Sequence, residues 1–563
     1  MKLVKSAYRA LDVLELLADA PGGYTFTEIL QRLELPKSTG HELLKTLASR
    51  KYIQFDPVTK VYALGSRVIT LGMERLQTSA EMQEAIRLAE QLAETVGQAV
   101  SVQVGVPAGD HAVVAFAIDR RPNHERDTRP LIGARFPLGA SALGKACLCG
   151  SSEREIREIC TRSKQKTFPS SQSQSYLHWR ELYWELKEVR ALGVAFEADE
   201  AQGLYRLATP VRNALGEIAA AVSIELRMQM DETELRVAAR SLLQLAGSGI
   251  GGPPAANGRP LVFVSLPNFH SQKALAYLQT FEREFEPSLL AVTSHDLEWK
   301  QELYLDWALD KLQPCCVIVS PVNAARSDSL FREARENNVP AICFQRPSRS
   351  RFVDYFVGGD GYEQGVMQME YVVKRLKGRG KVLLLEGDPY NDNARNMSMG
   401  HQAVLKQHEE RMEAEFVSVP LWSKEEARQI VAEFLDAGAK LDAVIAGTDL
   451  MAEGVIEELV RRKLAGKVLV VGGDGDQSAI RLIRARQQHA TVYQRPDEAA
   501  AAAARIAYSL MNGMQADVME RRPLIRDFPG KEVWVYPIPY ALYDASNLGE
   551  LEKRWADKDV YFE

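Results

Sequence analysis

Polar and aromatic residues follow several apolar, strand-like runs in the second half of the chain. The runs are VFVSLP, PAICF, KVLLLEG, LDAVIAG and KVLVVGG, and the candidate ligand contacts that follow or adjoin them are Asn268, Phe269, Arg346, Asn391, Asn393, Trp422, Asp449 and Asp474. Amide, carboxylate and guanidinium groups can each bridge neighbouring hydroxyls, and an aromatic face covers the C–H surface of a sugar ring. This mixture predicts a binding site for a neutral sugar or polyol.

Each of these residues also has a purely structural explanation. Asp449 could cap a helix, and Asn391 and Asn393 could belong to a turn. Their common position after strands favours binding, because doubly wound sheets bind ligands at the carboxyl ends of their strands. An enzyme is the alternative, since Asp449 and Asp474 could form the carboxylate pair of a sugar hydrolase or isomerase. We expect no catalytic residue, cofactor or metal, because the chain after residue 260 has no Walker loop, no Ser-x-x-Lys motif and no metal-ligand pair.

The elements that must hold these residues alternate along the chain after residue 260. Short β-branched runs are separated by long amphipathic segments, a pattern typical of parallel sheets with helices on both faces. Earlier in the chain, the pattern indicates a small helical unit followed by a mixed unit of strands and helices. The segment 247–260, GSGIGGPPAANGRP, predicts an interdomain linker because it contains mostly small residues and proline. The expected fold class is multidomain, with α+β and α/β parts.

The composition is that of a globular chain with several domains. At roughly 150 residues per domain, 563 residues indicate three or four domains. A hydrophobic share of 46% excludes a disordered chain, and a net charge of −6 excludes a histone-like polycation. Six cysteines in so long a chain indicate no disulfide framework. Because the sequence has no secretory leader and no apolar stretch of about 18 residues, we expect a cytoplasmic protein without membrane association.

The first module has the pattern of a winged helix-turn-helix. Three short helices are predicted by SAYRALDVLELLADA, TFTEILQRLEL and KSTGHELLKTLASRKYI, and a hairpin is predicted by YIQFDPVTKVYAL. Six basic residues against two acidic ones between positions 36 and 67 favour contact with DNA phosphates. The candidate DNA contacts are Lys37, Ser38, Thr39, His41, Glu42, Lys45 and Lys60. From the pattern alone, a three-helix bundle with no nucleic-acid role is the alternative.

The segment LPKSTGHELLKTLASRKYIQFDPVTKVYALGSRVITLG resembles the recognition helix and wing of IclR-type bacterial transcription regulators. The resemblance implies a winged helix-turn-helix domain over residues 1–72, with double-stranded operator DNA as its partner. It also implies a homodimer or homotetramer, in which two winged helices meet a palindromic operator. Glu42 stands where relatives often have a base, so the operator sequence stays open.

Residues 78–247 resemble the GAF-like effector and dimerisation domain of the same regulators. The matching landmarks are GARFPLGASALGKACL and GVAFEADEAQGLYRLATPVRNALGEIAAAVSIELR. The resemblance implies a second effector pocket at Gly133, Ala142, Arg206 and Ser223. Arg206 and Glu225 are large and charged where relatives often have Cys and Ser. The module is therefore either a working effector site or a dimerisation scaffold whose pocket is filled.

The segment from Ser79 to Glu94 predicts a helix that links the first two modules. Its apolar side carries Met82, Ile86, Leu88 and Leu92. We expect this side to contact a second copy of the chain.

Residues 260–545 resemble the type I periplasmic sugar-binding fold, which LacI-type regulators share, and within it the xylose-binding proteins. The matching segments are EGDPYNDNARNMSMG, AGTDLMAEGVIEEL, GKVLVVGGDGDQSAIRLI and TVYQRP. The resemblance implies two lobes that close around a sugar, with crossings near Gly358–Asp360, near Arg495–Pro496 and after Phe528. It assigns sugar contacts to Arg346, Asn391, Asn393, Trp422, Asp449 and Asp474. Gln345 and Gln494 replace an Asp and a Lys of the xylose pattern, and Gln494 is included among the candidate sugar contacts. Because these two positions differ, the ligand could also be another monosaccharide or a cyclic polyol.

These features together predict a sugar-responsive DNA-binding regulator. Residues 248–259 would be a linker and 546–563 a C-terminal tail. The expected role is control of uptake or catabolism genes for xylose or a similar monosaccharide, through a ligand-driven change in operator affinity. The alternative is a regulator that senses a small organic acid through the middle module, with the third module as an accessory.

Overall fold

The protein contains four sheets and helices that flank them. The structure, a computed structural model, describes residues 4–18, 20, 22–121, 131–164, 179–248, 261–269, 271–285, 288–389, 391–514, 519–525 and 528–556. Within these ranges, no helix combines the length and apolar character that crossing a bilayer would require.

The first module is a small winged helix-turn-helix. Its elements are α1 (Lys5–Ala18), β1 (Tyr24–Thr25), α2 (Phe26–Arg32), α3 (Lys37–Ser49), β2 (Ile53–Phe55) and β3 (Val61–Leu64). Thr25 and Glu28 cap the start of α2 reciprocally, as the Thr-x-x-Glu spacing favours. Gly40 allows α3 to cross α2 closely, because a Cβ at this position would lie 2.1 Å from Leu30. The two helices are thereby fixed at one mutual angle.

The middle module is a six-stranded antiparallel sheet with helices on both faces. It is reached through α4 (Ser66–Thr78), which has no buried residue. The strand order is β6–β5–β4–β9–β8–β7. The strands are β4 (Ser101–Ala108), β5 (His111–Asp119), β6 (Arg135–Pro137), β7 (Ala195–Asp199), β8 (Leu204–Arg212) and β9 (Ile218–Arg227). The helices are α5 (Ala80–Thr95), α6 (Ala142–Leu148), α7 (Glu153–Lys164), α8 (Trp179–Leu192) and α9 (Glu232–Ser248).

Helix α5 packs on the sheet of its own module. Ser79 caps its first turn by accepting from the backbone N–H of Met82. The buried face is Met82, Ala85, Ala89, Leu92 and Ala93, and it belongs to the same core as β4 and β9. The module's own strands therefore cover Met82 and Leu92, which corrects the expectation for these two residues, whereas Ile86 and Leu88 are only partly buried and their contact with a second copy stays a prediction.

The third module consists of two lobes, and the predicted doubly wound architecture is confirmed. The N-lobe sheet has the order β11–β10–β12–β13–β14–β21–β20, and the C-lobe sheet has the order β16–β15–β17–β18–β19–β22. Neighbouring strands are parallel except where β21 meets β20 and where β19 meets β22. The N-lobe strands are β10 (Val262–Leu266), β11 (Leu289–Thr293), β12 (Cys316–Val319), β13 (Ala341–Phe344), β14 (Tyr355–Gly358), β20 (Glu520–Ile525) and β21 (Phe528–Pro537). The C-lobe strands are β15 (Gly380–Glu386), β16 (Met412–Ser418), β17 (Ala443–Ala446), β18 (Leu469–Gly473), β19 (Ala490–Gln494) and β22 (Tyr540–Asp544).

Ten helices of the described residues cover these two sheets. They are α10 (Gln272–Phe285), α11 (Glu298–Lys311), α12 (Asp328–Glu336), α13 (Gly361–Leu376), α14 (Asp392–Leu405), α15 (Lys424–Asp436), α16 (Asp449–Arg461), α17 (Gln477–Arg484), α18 (Pro496–Met511) and α19 (Leu548–Ala556). A 3-10 turn, Pro420–Trp422, precedes α15. Residues 546–563 were expected to be a tail, but 548–556 form α19, whose Leu551 and Trp555 are buried against the C-lobe.

The chain crosses between the lobes three times. The first two crossings follow Gly358 and Gln494, as predicted. The third lies between Pro537 and Tyr540, because Phe528 begins β21 rather than ending an element. Three adjacent crossings are typical of a hinge around which two lobes can open and close.

The middle module and the N-lobe share one hydrophobic core. Phe196 and Tyr205 of the middle sheet contact the Trp299 ring of α11, with ring centroids 6.1 and 6.0 Å apart. Apolar residues of both modules belong to the same buried cluster. The two modules therefore pack as one body.

Buried charged groups extend this shared core. Glu188 of α8 accepts from the backbone N–H of Thr293 at 2.7 Å and lies 3.6 Å from Lys300 Nζ. Lys300 Nζ donates to Nδ1 of His295 at 2.6 Å, and the other ring nitrogen lies 3.8 Å from Glu185. Burial, reinforced by the charge of Lys300, lowers the pKa of His295 to about 3. The imidazole is therefore neutral at physiological pH, and it accepts a hydrogen bond that a charged ring would refuse.

Candidate functional site

The lobes face each other across a cleft formed by loops that follow their strands. In the N-lobe, β10 and β13 lead into it, and in the C-lobe β15, β17 and β18 do so. Parallel strands bring their carboxyl ends to one edge of each sheet. The loops with the predicted ligand contacts are thereby brought to the same space.

An ion pair joins the lobes across the cleft. Lys273 on α10 places Nζ 3.3 Å from Oδ1 of Asp474, which follows β18, and the two side chains retain 22% and 27% exposure. Burial alone would lower the pKa of Lys273, but nearby acidic groups, above all the Asp474 carboxylate, outweigh it and raise the pKa. Lys273 is thus a cation that orients Asp474 at the edge of the cleft.

Two further contacts hold the lobes together. Arg349 of the N-lobe donates through Nε and Nη2 to both carboxylate oxygens of Asp392, at 2.9 and 2.6 Å. The backbone N–H of Gln477 donates to Oε1 of Gln272 at 3.1 Å. A bidentate guanidinium–carboxylate pair fixes distance and orientation together, so the described conformation is one in which the lobes touch.

The N-lobe wall of the cleft is a chain of three polar residues. Asn268 Nδ2 donates to Oδ2 of Asp296 at 2.7 Å, and Arg346 Nη1 lies 3.6 Å from Oδ1 of the same carboxylate. Asp296 and the preceding His295 both adopt positive φ, 56° and 51°. Two successive non-glycine residues in this region store strain, which the surrounding contacts must hold in place.

Four polar atoms around the cleft are buried and have no hydrogen-bond partner among the described residues. They are Tyr277 Oη, Gln345 Nε2, Gln477 Nε2 and Gln494 Oε1. The other amide atom of Gln494 donates to the Ile538 carbonyl at the hinge, at 3.2 Å. A buried polar group without a partner costs about 1–3 kcal/mol. A ligand with hydroxyl groups, or ordered water, would remove that cost.

Asp449 lies behind the cleft loop rather than on the cleft. Its side chain is completely buried and accepts from Gln488 Nε2, from the Thr491 hydroxyl and from the backbone N–H of Asp476, at 2.8, 2.8 and 2.9 Å. Burial raises its pKa to about 7 against the effect of these donors. The geometry therefore differs from the expected sugar contact, because the protein itself supplies the partners of this carboxylate.

Asn391 and Asn393 sit at the start of α14, next to the lobe crossing. Asn391 Oδ1 accepts from the backbone N–H of Asn393 at 3.0 Å and so caps the helix. The Asn393 side chain packs against Gly361, where a Cβ would lie 2.5 Å from its Oδ1, and hydrogen-bonds with Tyr540. Asn393 is thus close to the hinge, whereas Asn391 has mainly a capping role.

Trp422 lies over the ends of β15 and β17. A Cβ at Gly387 or Gly447 would approach its ring to 2.1 or 2.5 Å, so both glycines are required for the ring to lie there. The residue has a φ of 57° and remains partly exposed. The six-membered ring of the indole packs on the strand ends, and an aromatic ring there could cover the C–H surface of a sugar.

Phe269 occupies the interior of the N-lobe. It is completely buried in the cluster that contains Leu266 and Tyr277. The expectation that this ring covers a sugar is wrong for this conformation, because the ring points into the lobe. The next residue, His270, lies outside the described residues.

The predicted pocket of the middle module is occupied by an ion network. Strand register places Arg206 on β8 directly between Glu197 on β7 and Glu225 on β9. Its guanidinium donates to Glu197, Asp199 and Glu225, each at 2.8 Å. Arg206 is only 5% exposed, and its pKa is raised because the carboxylates outweigh the effect of burial.

Of the remaining residues of that pocket, Ala142 and Ser223 are buried, whereas Gly133 is exposed. The backbone N–H of Ala142 donates to the second carboxylate oxygen of Glu197 at 2.8 Å. Ser223 is buried on β9, and Gly133 has a φ of 84° on an exposed turn. Of the two readings that the sequence left open, this geometry favours a filled pocket.

The DNA-facing candidates of the first module lie on one helix and one hairpin. On α3, Lys37, Ser38, His41, Glu42 and Lys45 are exposed and Thr39 is half-buried. Lys60 is exposed at the tip of the hairpin between β2 and β3, with a φ of 58°. Asp56 holds that tip by accepting from the Val58 N–H and the Thr59 hydroxyl, both at 2.8 Å. A free helix face beside a wing is the arrangement that enters a major groove.

Comparison with known families agrees with this division into modules. Residues 6–57 match the IclR helix-turn-helix domain, and residues 76–248 match the C-terminal domain of the bacterial transcriptional regulator IclR. Residues 310–515 match a periplasmic binding protein domain. The three modules together define a DNA-binding transcription regulator that carries a periplasmic-binding-protein-like domain.

Two curated relatives match different parts of the chain. The HTH-type transcriptional regulator XynR of Escherichia coli is 30% identical over 250 residues, which cover 44% of this chain and 96% of that protein. The chain belongs to the IclR family of bacterial transcriptional regulators. The D-xylose-binding periplasmic protein of E. coli is 30% identical over 203 residues, 35% of this chain. That match spans 61% of the length of the periplasmic protein.

Solved structures of solute binding proteins are similar to part of the chain. A solute binding protein of Clostridium phytofermentans, with bound β-D-glucose, covers 54% of this chain and 98% of its own at 21% identity, with a TM-score of 0.49.

Sequence reasoning missed several residues of the cleft. Lys273, Tyr277 and Arg349 lie on or between elements where no local pattern distinguishes them from surface or core positions. Asp296 follows a strand end, which was a usable signal, because the other candidates were chosen from such positions. The partners of Lys273 and Arg349, Asp474 and Asp392, are distant in sequence and close in space.

Proposed function

We propose that this regulator binds a neutral monosaccharide or cyclic polyol between the lobes of its third module and changes its affinity for operator DNA in response. The observation that carries the proposal is the group of buried polar atoms at the cleft without partners among the described residues, Tyr277 Oη, Gln345 Nε2, Gln477 Nε2 and Gln494 Oε1. Hydroxyl groups both donate and accept, so one polyol can satisfy phenol, amide N–H and amide oxygen together.

The charges at the cleft favour a neutral ligand. Lys273 is paired with Asp474, Arg346 with Asp296, and Arg349 with Asp392. An ionic ligand would compete with one of these pairs, whereas hydroxyl groups can bond to the paired carboxylates and guanidinium groups. The Trp422 ring supplies the apolar face that a sugar ring needs.

A contiguous set of contacts leads from the cleft to the middle module. Asp296 touches Asn268 and Arg346 at the cleft, and three residues earlier Thr293 is hydrogen-bonded to Glu188 of α8. Because the N-lobe and the middle module share a core, a shift of this strained segment would also displace α8. We propose this segment as the route by which ligand alters the middle module.

The DNA-binding form that we propose is a two-fold dimer on a palindromic operator. Exposed apolar residues on α1 and α4, namely Tyr8, Leu11, Ile69 and Met73, support contact with a second copy. We place the domains at 1–72, 78–247 and 260–545, and we add α19 to the third.

The test uses the full chain. An operator is first selected from a random duplex library, and calorimetry then measures binding of pentoses, hexoses, inositols and small organic acids. We expect at least one neutral sugar or polyol to bind and to change operator affinity, and we expect the organic acids to have no effect. Binding of an organic acid alone would instead favour the middle module as the sensor.

A further inference from the structure

Helix α19 lies on the outside of the C-lobe, directly behind the loop that carries Asp474. Its buried side chains are Leu548, Leu551 and Trp555, which are 6%, 0% and 2% exposed. The Trp555 ring packs against Tyr493 of β19, with centroids 6.0 Å apart. The helix is therefore an integral part of the lobe.

Trp555 makes a hydrogen bond to the cleft loop itself. Its Nε1 donates to the carbonyl of Gly475 at 2.8 Å, and Gly475 is the residue between Asp474 and Asp476. The N–H of Gly475 donates to the Thr491 hydroxyl at 3.1 Å. Gly475 is thus held through both its backbone N–H and its carbonyl.

No other residue type fits at position 475. Gly475 has a φ of 69°, and a Cβ there would lie 2.5 Å from the Tyr493 ring. The loop must therefore pass tightly over the aromatic cluster formed by Tyr493, Tyr543 and Trp555.

Asp474 has a conformation that needs such support. Its φ is 91°, a region that a residue with a side chain occupies only when its surroundings hold it there. From the inner side, Asp449 holds the loop through the N–H of Asp476 and through Thr491. The backbone N–H of Asp474 itself donates to the Val492 carbonyl at 2.8 Å, and α19 adds the Trp555 bond to Gly475.

We propose that Trp555 is a positioning residue that fixes the orientation of the Asp474 carboxylate and so determines ligand affinity. This inference rests on the proposed function, since it assumes that Asp474 binds the sugar. Trp555 acts on this carboxylate through the backbone of Gly475.

Trp555→Phe removes the donor while an aromatic ring still fills the site. In the ligand-free full chain, we expect faster hydrogen exchange in peptides that cover residues 472–478. Loss of one hydrogen bond should weaken sugar binding about threefold to tenfold. Operator affinity without ligand should stay at the wild-type value.

Leu551→Val is the matched control, because it removes one methylene from the same helix core and leaves the Gly475 bond in place. It should lower thermal stability and leave sugar affinity unchanged. A double-mutant cycle with Asp474→Asn measures the coupling between positions 474 and 555 in sugar affinity, which a general loss of stability would not change. If Trp555 acts through Asp474, Trp555→Phe should cost little further affinity in the Asp474→Asn background.

The outcomes distinguish this inference from the proposed function. Unchanged exchange at 472–478 in Trp555→Phe would overturn the positioning role whatever the ligand. Equal affinity losses in Trp555→Phe and Leu551→Val, or full additivity with Asp474→Asn, would overturn it as well. If exchange rises but the wild-type protein binds no sugar or polyol, the proposed function fails, and with it the link from the loop to affinity.

Discussion

The pocket of the middle module and the cleft of the third module both bury polar side chains, but they differ in how those side chains are satisfied. Arg206 in the middle module donates to three carboxylates at 2.8 Å. At the cleft, Tyr277, Gln345 and Gln494 each have a buried polar atom without a partner among the described residues. A complete network indicates a structural filling, whereas an incomplete one indicates space for a ligand.

This difference distinguishes the two functional hypotheses. Sensing of an organic acid by the middle module would require the acid to displace Glu197, Asp199 or Glu225 from Arg206. Sensing at the cleft requires only that a ligand form hydrogen bonds with buried polar atoms that have no partner among the described residues. The comparison therefore favours the third module as the sensor and the middle module as a scaffold.

The largest expected effect comes from removing the cation of the complete ion network in the middle module. Arg206→Leu leaves Glu197, Asp199 and Glu225 buried without their cation, and should lower the free energy of unfolding by about 3–5 kcal/mol. Sugar affinity of the folded protein should stay unchanged. Urea unfolding and calorimetry measure the two quantities. The control, Arg240→Leu, removes an exposed partner of Asp306 and should cost no more than about 1 kcal/mol.

Asp474→Asn tests the incomplete network. The ionised carboxylate can accept two charge-assisted hydroxyl hydrogen bonds, and the amide loses one acceptor and the charge. Sugar affinity should fall about tenfold to a thousandfold, while operator affinity without ligand stays near wild type. Asp436→Asn, on the exposed end of α15, serves as the matched control. Normal sugar binding by Asp474→Asn would show that the cleft is misassigned.

Trp422→Ala should have a smaller effect on the same measurement. It removes the apolar face over the strand ends, and we expect an affinity loss of about tenfold. Trp422→Phe keeps a ring at this position and should lose less. Equal affinity of all three proteins would mean that the indole does not stack on the ligand.

The stability that the contact between the middle module and the N-lobe provides should depend on pH. His295 has a pKa of about 3 in the fold and about 6.5 when unfolded. Between these values only the unfolded chain takes up the proton, so stability falls as pH falls below 6.5, by at most about 1.4 kcal/mol per unit. His295→Asn should flatten this dependence in urea titrations at pH 7 and 5.5. An unchanged slope would show that His295 does not carry this dependence.

The smallest effect concerns the DNA-binding face of the first module. Without ligand, neither the pocket of the middle module nor the cleft of the third module should influence it. Lys45→Ala should lower the salt slope of operator binding by about one and weaken all sequences similarly. Thr39 and His41, if they reach base edges, should relax sequence preference when replaced by Ala. Unchanged affinity and preference in all three variants would exclude α3 as the recognition helix.

Much of the fold was predictable because it depends on local patterns. The Thr-x-x-Glu cap of α2, the short β-branched strands and the glycine at the crossing of α2 and α3 each leave a signal a few residues long. Strand ends also located Asp474 and Trp422 correctly with respect to the loops. These features need no knowledge of distant parts of the chain.

The direction of individual side chains was not predictable in the same way. Phe269 and Asp449 follow strands as the ligand contacts should, yet one points into the lobe and the other supports a loop from behind. Arg349 meets Asp392 only because the lobes approach each other. Helix α19 shows the same limit, because Leu548, Leu551 and Trp555 have the i, i+3, i+7 spacing of one helix face, but this spacing does not reveal the distant C-lobe residues that they cover.

The shared core of the middle module and the N-lobe limits how this protein can be re-engineered as a biosensor. Replacing the third module by another sugar-binding protein would leave Phe196 and Tyr205 exposed and Glu185 and Glu188 without Lys300 and His295. A working chimera would have to carry the α11 surface of this chain, or exchange only the C-lobe and the cleft loops. The unit of exchange is therefore the lobe and not the domain.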